Sequence, residues 1–143
     1  MPVERTRLYT SHRIHPLHAV LLAGAVPLFL GALLSDIAYA ATYEIQWSNF
    51  ASWLIAGGLV PGILALLFAA IELFRADRSG WRPRVHVLLL LASCVLGFIN
   101  ALIHARDAWA VMPGGLVLSI IVAALACAAT WTGFSTLRAR GAV

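Results

Sequence analysis

Four long apolar stretches separated by short polar segments set the pattern of this chain, running roughly from Pro16 to Ala41, Asn49 to Phe74, Arg84 to His104 and Pro113 to Leu137. Each meets the length of about 20 mainly apolar residues that a helix needs to cross a hydrocarbon core about 30 Å thick. The pattern predicts an all-α fold, a single membrane domain of four transmembrane helices. Connections of about six to ten residues favour an up-down-up-down antiparallel bundle with sequential neighbours packed together. Composition agrees: 62% of the residues are hydrophobic, 11% are charged and the mean hydropathy is +0.89, whereas soluble domains carry about 25% charged residues. A soluble globular enzyme is excluded, and so is a disordered chain, which would be poor in hydrophobic residues.

Charge then gives orientation. The ten basic residues are all Arg. Arg5, Arg7 and Arg13 precede the first span, Arg75, Arg78, Arg82 and Arg84 join the second to the third, and Arg138 and Arg140 follow the fourth. Only Arg106 falls on the opposite side, so the positive-inside rule places both termini and the Arg75–Arg84 loop in the cytoplasm, as expected for a multi-pass protein of a bacterial inner membrane. A net charge of +4 would suggest nucleic acid in a soluble protein; here it reports topology, and no nucleic-acid partner is expected. The loops around Tyr43–Ser48 and Ala105–Met112 face outward, with Trp47, Trp53 and Trp109 near the outer interface and Trp81 near the inner one. Arg5 and Arg7, the first apolar run and the triplet Ala38-Tyr39-Ala40 imitate a signal peptide. The run exceeds the usual h-region of about 7–15 residues and Asp36 precedes the supposed cleavage site, so the segment is expected to be a retained helix.

Each span carries small residues that let helices approach closely: Gly24 and Gly31; Gly57, Gly58, Gly62, Ala65 and Ala69; Ser93 and Gly97; Gly115, Ser119, Ala126 and Gly133. Pro27 and Pro61 are expected to kink their helices. Cys94 and Cys127 lie near mid-span, where a thiol packs as a small hydrophobe and a disulfide is not expected.

The informative residues are polar groups at membrane depth, because a charge at the bilayer centre costs about 2.5–3.5 kcal/mol. They are His15, His18, Asp36, Glu72, His86, Asn100 and His104. His18 precedes Asp36 by 18 residues, and His86 precedes His104 by the same number. That interval is five helical turns, about 27 Å, so each pair shares a face and marks opposite ends of its helix. On the third span the face His86, Leu90, Ser93, Gly97, Asn100, His104 is polar or small at nearly every step and should point inward. Two polar layers follow: His15, His18, Glu72 and His86 near the cytoplasmic surface, and Asp36, Asn100 and His104, with Arg106 and Asp107, near the outer one.

One histidine from each of two helices is the axial pair that a haem iron accepts, and apolar flanks would bury the porphyrin. Such a haem would be b-type, since no Cys-x-x-Cys-His attachment motif is present. His18 with His86 is the expected pair, with His15 a substitute one turn earlier. Three histidines, or two with Glu72, could equally hold zinc or non-haem iron. Against both stands a structural reading, in which His12 and His15 are solvated among headgroups and His86, close to Arg84, is an interfacial anchor. In the outer layer Asp36 with Arg106 or His104 reads as a structural pair and Asn100 as helix glue, ahead of a proton entry path or quinone contact. Trp131 and Phe134 either line a haem or quinone or anchor the interface. No phosphate-binding loop, nucleophile elbow or metalloprotease helix occurs, and no Ser/His/Asp set is expected in a common layer. The short spans also lack the repeated, interrupted helices of transporters.

At Ile14-His15-Pro16-Leu17-His18, followed by Pro27 and Ser35-Asp36, the chain resembles the bacterial predicted membrane family known as domain of unknown function 2231. The resemblance continues through Glu72, His86, Asn100 and Arg106 and covers nearly the whole chain. Ala19 stands where the family usually repeats proline, and Glu72 where Asp is common. The family has no settled activity; the resemblance implies a companion of redox proteins, sometimes joined to cytochrome-like or dehydrogenase modules, and His15, His18 and His86 carry over as candidate ligands only. The combined expectation is a haem b electron-transfer subunit between a quinone pool and a redox partner, with no bond-making catalysis required. The opposing expectation is a cofactor-free accessory subunit of a larger membrane complex, packed through its small-residue stripes, and a third is a metal-dependent or proton-handling protein using His15, His18, Glu72 and His86. Expected partners are the lipid bilayer, a redox protein or larger complex, and a second copy of the chain.

Overall fold

A computed structural model describes residues 15–75, 81–106 and 108–138. They form four helices long and apolar enough to span a membrane, α1 (Pro16–Thr42), α2 (Ile45–Arg75), α3 (Trp81–His104) and α4 (Gly114–Arg138), with one 3₁₀ turn at Ala108–Ala110. There is no strand among the described residues. Arg5, Arg7, His12, Arg13, Arg78, Asp107 and Arg140 lie outside the described residues.

The helix ends follow from local chemistry. His15 caps α1, its Nδ1 accepting the Leu17 N–H at 3.3 Å, and Pro16 supplies the fixed φ that suits a first helical position. α1 closes on Tyr43, whose backbone is left-handed (φ 56°) and whose N–H donates to the Tyr39 carbonyl at 2.8 Å. That turn reverses the chain within Tyr43 and Glu44 alone, and α2 begins at Ile45. The expected outward loop over Tyr43–Ser48 is therefore mostly helix, because one left-handed residue does the work of several. α3 likewise starts at Trp81, earlier than its apolar run suggests. α1 and α2 continue through Pro27 and Pro61.

The helices pack as a ring in which α1 touches α2 and α4, and α3 touches α2 and α4. This makes α1 and α3 diagonal across the core. Mid-membrane, the core consists of Ala25, Phe29, Ala32, Ile55, Leu59, Val122 and Ala126. Phe29 is its wedge: a Cβ on Gly58 would come within 3.0–3.2 Å of three ring atoms, and one on Gly97 within 3.6 Å of the ring and 3.1 Å of Leu59. The small residues of α2 and α3 thus make a seat for one aromatic ring, which is how helices gain contact area where lipid offers no hydrophobic drive. Toward the end expected to face the cytoplasm, termed the inner end as its opposite is termed the outer, Leu22, Ala65, Ala69, Leu90 and Ala129 form a second cluster. Cys94 is buried near Gly62 and Cys127 is exposed, and neither is in a disulfide.

Two substitutions test the wedge. Phe29→Ala should cost about 3–5 kcal/mol through the cavity it leaves. Gly58→Ala should cost about 1–3 kcal/mol by overpacking the ring. Both are checked by reversible unfolding of the full chain in detergent micelles.

Candidate functional site: two polar crossbars through the bundle

The diagonal helices meet through polar side chains at both ends of the core. At the inner end, His18 of α1 and His86 of α3 are buried and face each other, Nε2 to Nε2, at 3.3 Å, with their rings edge to face. At the outer end, Asp36 of α1 and His104 of α3 are joined, Oδ1 to Nε2, at 2.8 Å. The 18-residue intervals in α1 and α3 make these crossbars: two residues five turns apart on one helix meet two residues five turns apart on the diagonal one.

α4 carries the same interval. Gly115 and Gly133, also 18 residues apart, lie against the two α3 histidines. A Cβ on Gly133 would stand 3.0 Å from His86 Cε1, and one on Gly115 would stand 2.9 Å from His104 Cε1. Each imidazole edge therefore occupies the volume that a side chain on α4 would need.

Hydrogen-bond geometry fixes most protons of the inner pair. His86 Nδ1 faces the Ala129 carbonyl at 2.9 Å, with Thr132 Oγ1 at 3.3 Å. A carbonyl only accepts, so Nδ1 carries the hydrogen and donates, and the Nε2 of the neutral ring presents a lone pair. His18 Nε2–H then donates to it, which leaves His18 Nδ1 bare, and this buried atom has no partner. The inner pair is thus held on the His86 side by two further partners, whereas the His18 ring is held through Nε2 alone.

The outer crossbar is a larger network. His104 Nδ1–H donates to the Asn100 carbonyl at 3.0 Å, and Asn100 Nδ2–H donates to Ser119 Oγ at 2.8 Å. Ser119 in turn donates to Asp36 Oδ2 at 2.5 Å. Asp36 is 0% exposed, and Asn100, His104 and Ser119 are buried with it. A Ser/His/Asp set does therefore share a layer, contrary to expectation, because α4 brings Ser119 to the depth of Asp36. Its order is wrong for a nucleophile, since the serine bonds to the carboxylate and the imidazole bonds to the other carboxylate oxygen. Of the two partners expected for Asp36, the structure selects His104. Arg106 lies exposed beyond the end of α3.

His15 is exposed, its ring stacked on Phe68 at 6.0 Å between centroids. Glu72 is half-buried on α2. No group of three His, Cys, Asp or Glu placed to hold a metal ion occurs among the described residues, so the three-histidine and two-histidine-plus-Glu72 sites for zinc or non-haem iron are not assembled there. Trp131 is 77% exposed and Phe134 40%, so Trp131 does not line the inner layer and Phe134 turns much of its ring outward. Residues missed by sequence reasoning are Ser119 and Thr132, together with the histidine-facing role of Gly115 and Gly133. The interval between the two glycines was the available signal.

The family model described as predicted membrane protein (DUF2231) matches residues 14–141, nearly the whole chain. No curated protein and no solved structure matches it.

The outer crossbar makes a stability prediction. His104→Leu leaves the buried Asp36 carboxylate without its main partner and should cost about 3–5 kcal/mol, and adding Asp36→Leu should return part of that loss. A double-mutant cycle from unfolding midpoints in micelles checks both signs.

Proposed function

Since the chain belongs to this family of membrane proteins, we propose that it is an electron-transfer subunit of a bacterial inner membrane, with both termini cytoplasmic, in which His18 and His86 hold haem b near the cytoplasmic end. The observation that carries this reading is the convergence of two imidazole Nε2 atoms from diagonal helices on one buried point. The donor chemistry fits the group. His86 is oriented by its Nδ1–H bond to the Ala129 carbonyl, the outer support that metal-bound histidines characteristically have. His18, with nothing holding Nδ1, can turn its Nε2 lone pair toward the same point. Leu22, Leu90 and Ala129 give the pair apolar surroundings.

When bound, the haem would supply one-electron exchange between a quinone pool and a redox partner. The chain's own residues position the ligands and exclude water. Gly133 keeps α4 clear of the His86 ring, Thr132 and the Ala129 carbonyl hold that ring in one orientation, and the inner apolar cluster isolates the pair from lipid.

A second reading rests on a specific observation, the closeness of the packing. Two nitrogen–metal bonds of about 2.0 Å each need donors about 4 Å apart, and the pair stands at 3.3 Å with Leu22, Ala65, Leu90 and Ala129 packed in the same layer. A macrocycle enters only if the helices part around the pair. In this second reading the chain is a cofactor-free accessory subunit of a larger membrane complex, and the His18–His86 hydrogen bond clamps α1 to α3.

The visible spectrum separates the two. Protein from haem-sufficient expression, purified in detergent, should show a Soret band and split alpha bands on reduction. His18→Ala and His86→Ala should each abolish these bands, and His104→Ala should leave them. A colourless wild-type protein removes the haem reading, and metal analysis then tests the accessory one.

A further inference from the structure

The outer crossbar has a proton count that its partners fix. His104 Nδ1 must carry hydrogen because it faces the Asn100 carbonyl, and Asp36 Oδ2 must accept because the Ser119 hydroxyl, itself accepting from Asn100, donates to it. The remaining contact, Asp36 Oδ1 to His104 Nε2, then holds one hydrogen. Placed on nitrogen it gives a carboxylate with an imidazolium; placed on oxygen it gives a carboxylic acid with a neutral imidazole. Both forms are neutral overall, and they differ only in which side of a 2.8 Å contact the proton occupies.

We propose that Asp36 and His104 are a one-proton binding site in the outer half of the membrane, loaded in the arrangement described and exchanging that proton with the outer aqueous phase. Release sends the shared proton to water and leaves a carboxylate beside a neutral imidazole; uptake restores the neutral pair. The proton belongs to the contact between the two groups, Asp36 Oδ1 and His104 Nε2. The surroundings tie the charge to that unit. α4 contributes the uncharged Ser119, α3 the uncharged Asn100, and α2, by the register that sets Leu54 against Gly31, the uncharged Ser48 and Ala51. Arg106 and Glu44 are exposed in the connections, and Asp107 lies outside the described residues. Asn100 Oδ1, buried and without a partner, is a spare acceptor beside the pair where an entering water could donate.

The access route is the connection between α3 and α4. Tyr39, one turn beyond Asp36 on α1, donates its hydroxyl to the Ala108 carbonyl at 3.1 Å and so fastens that connection over the site. Val111, 0% exposed, packs with the His104 ring at the position where a Gly115 side chain would stand. Opening the Tyr39 latch and lifting Val111 brings the pair to water. No residue of this site belongs to the inner histidine pair, so the proposal stands apart from the haem reading.

Infrared difference spectroscopy after a pH jump, on the full chain in lipid nanodiscs, tests the site. The wild type should give one buried carboxyl change accompanied by an imidazole change. Asp36→Asn should remove both, and His104→Gln should remove the imidazole part. Ser119→Ala, which deletes a single hydroxyl and keeps the pair, should displace the midpoint of the carboxyl change and serves if Asp36→Asn does not fold. Tyr39→Phe should speed the response severalfold. Spectra identical in wild type and Asp36→Asn, an unmoved midpoint in Ser119→Ala, or neither a carboxyl nor an imidazole change across the pH range in which the protein stays folded would overturn the site. An unchanged rate in Tyr39→Phe would overturn the latch.

Discussion

A carboxylate taken wholly out of water must be answered at each oxygen, and the outer half of this bundle is organised by that demand. Asp36 is answered from two other helices, by His104 of α3 and Ser119 of α4, while Asn100 links those two to each other. An unpaired buried charge costs several kcal/mol, so a slip of α1, α3 or α4 by one turn is penalised far more heavily than a slip among interchangeable apolar side chains. Van der Waals packing brings the helices together; the carboxylate decides their register. The same register then sets His18 against His86 at the other end, because both helices carry their second polar group five turns away.

The bundle can be described as three helices bearing one repeat distance and a fourth that seals them. α1 contributes His18 and Asp36, α3 contributes His86 and His104, and α4 contributes Gly133 and Gly115. α2, without a member of this set, brings small residues, Gly58 and Gly62 at the Phe29 ring and Ala65 and Ala69 at the inner cluster. Division of labour of this kind suits a membrane interior, where small residues give close approach and buried polar groups give specificity. It also accounts for the absence of chemistry from the middle of the core, whose buried cluster is apolar.

Much of this was legible in the sequence because two periodicities coincide there. Apolar runs gave the four helices, and the 18-residue interval gave the shared faces of His18 with Asp36 and of His86 with His104. Pairing across the diagonal followed because alternate helices of an up-down-up-down bundle, α1 and α3, run in the same direction. Other features were not legible for physical reasons. Ser119 sits in a stripe of small residues, where a hydroxyl serves packing and hydrogen bonding equally well, and only the depth of Asp36 distinguishes them. Ile45 to Ser48 resemble a loop because Gln46 and Ser48 are polar, yet a left-handed Tyr43 ends the preceding helix so sharply that α2 can start at once. His15 and His18 are equivalent by composition; Phe68 draws one ring aside while the other turns inward.

The Phe29 wedge has an electrical meaning. With its ring seated on Gly58 and Gly97 and flanked by Ile55, Leu59 and Val122, the centre of the bundle works as a dielectric spacer about 27 Å long between the two crossbars. An apolar interval screens charge poorly, so it is the separation of about 27 Å that keeps the two crossbars electrically apart.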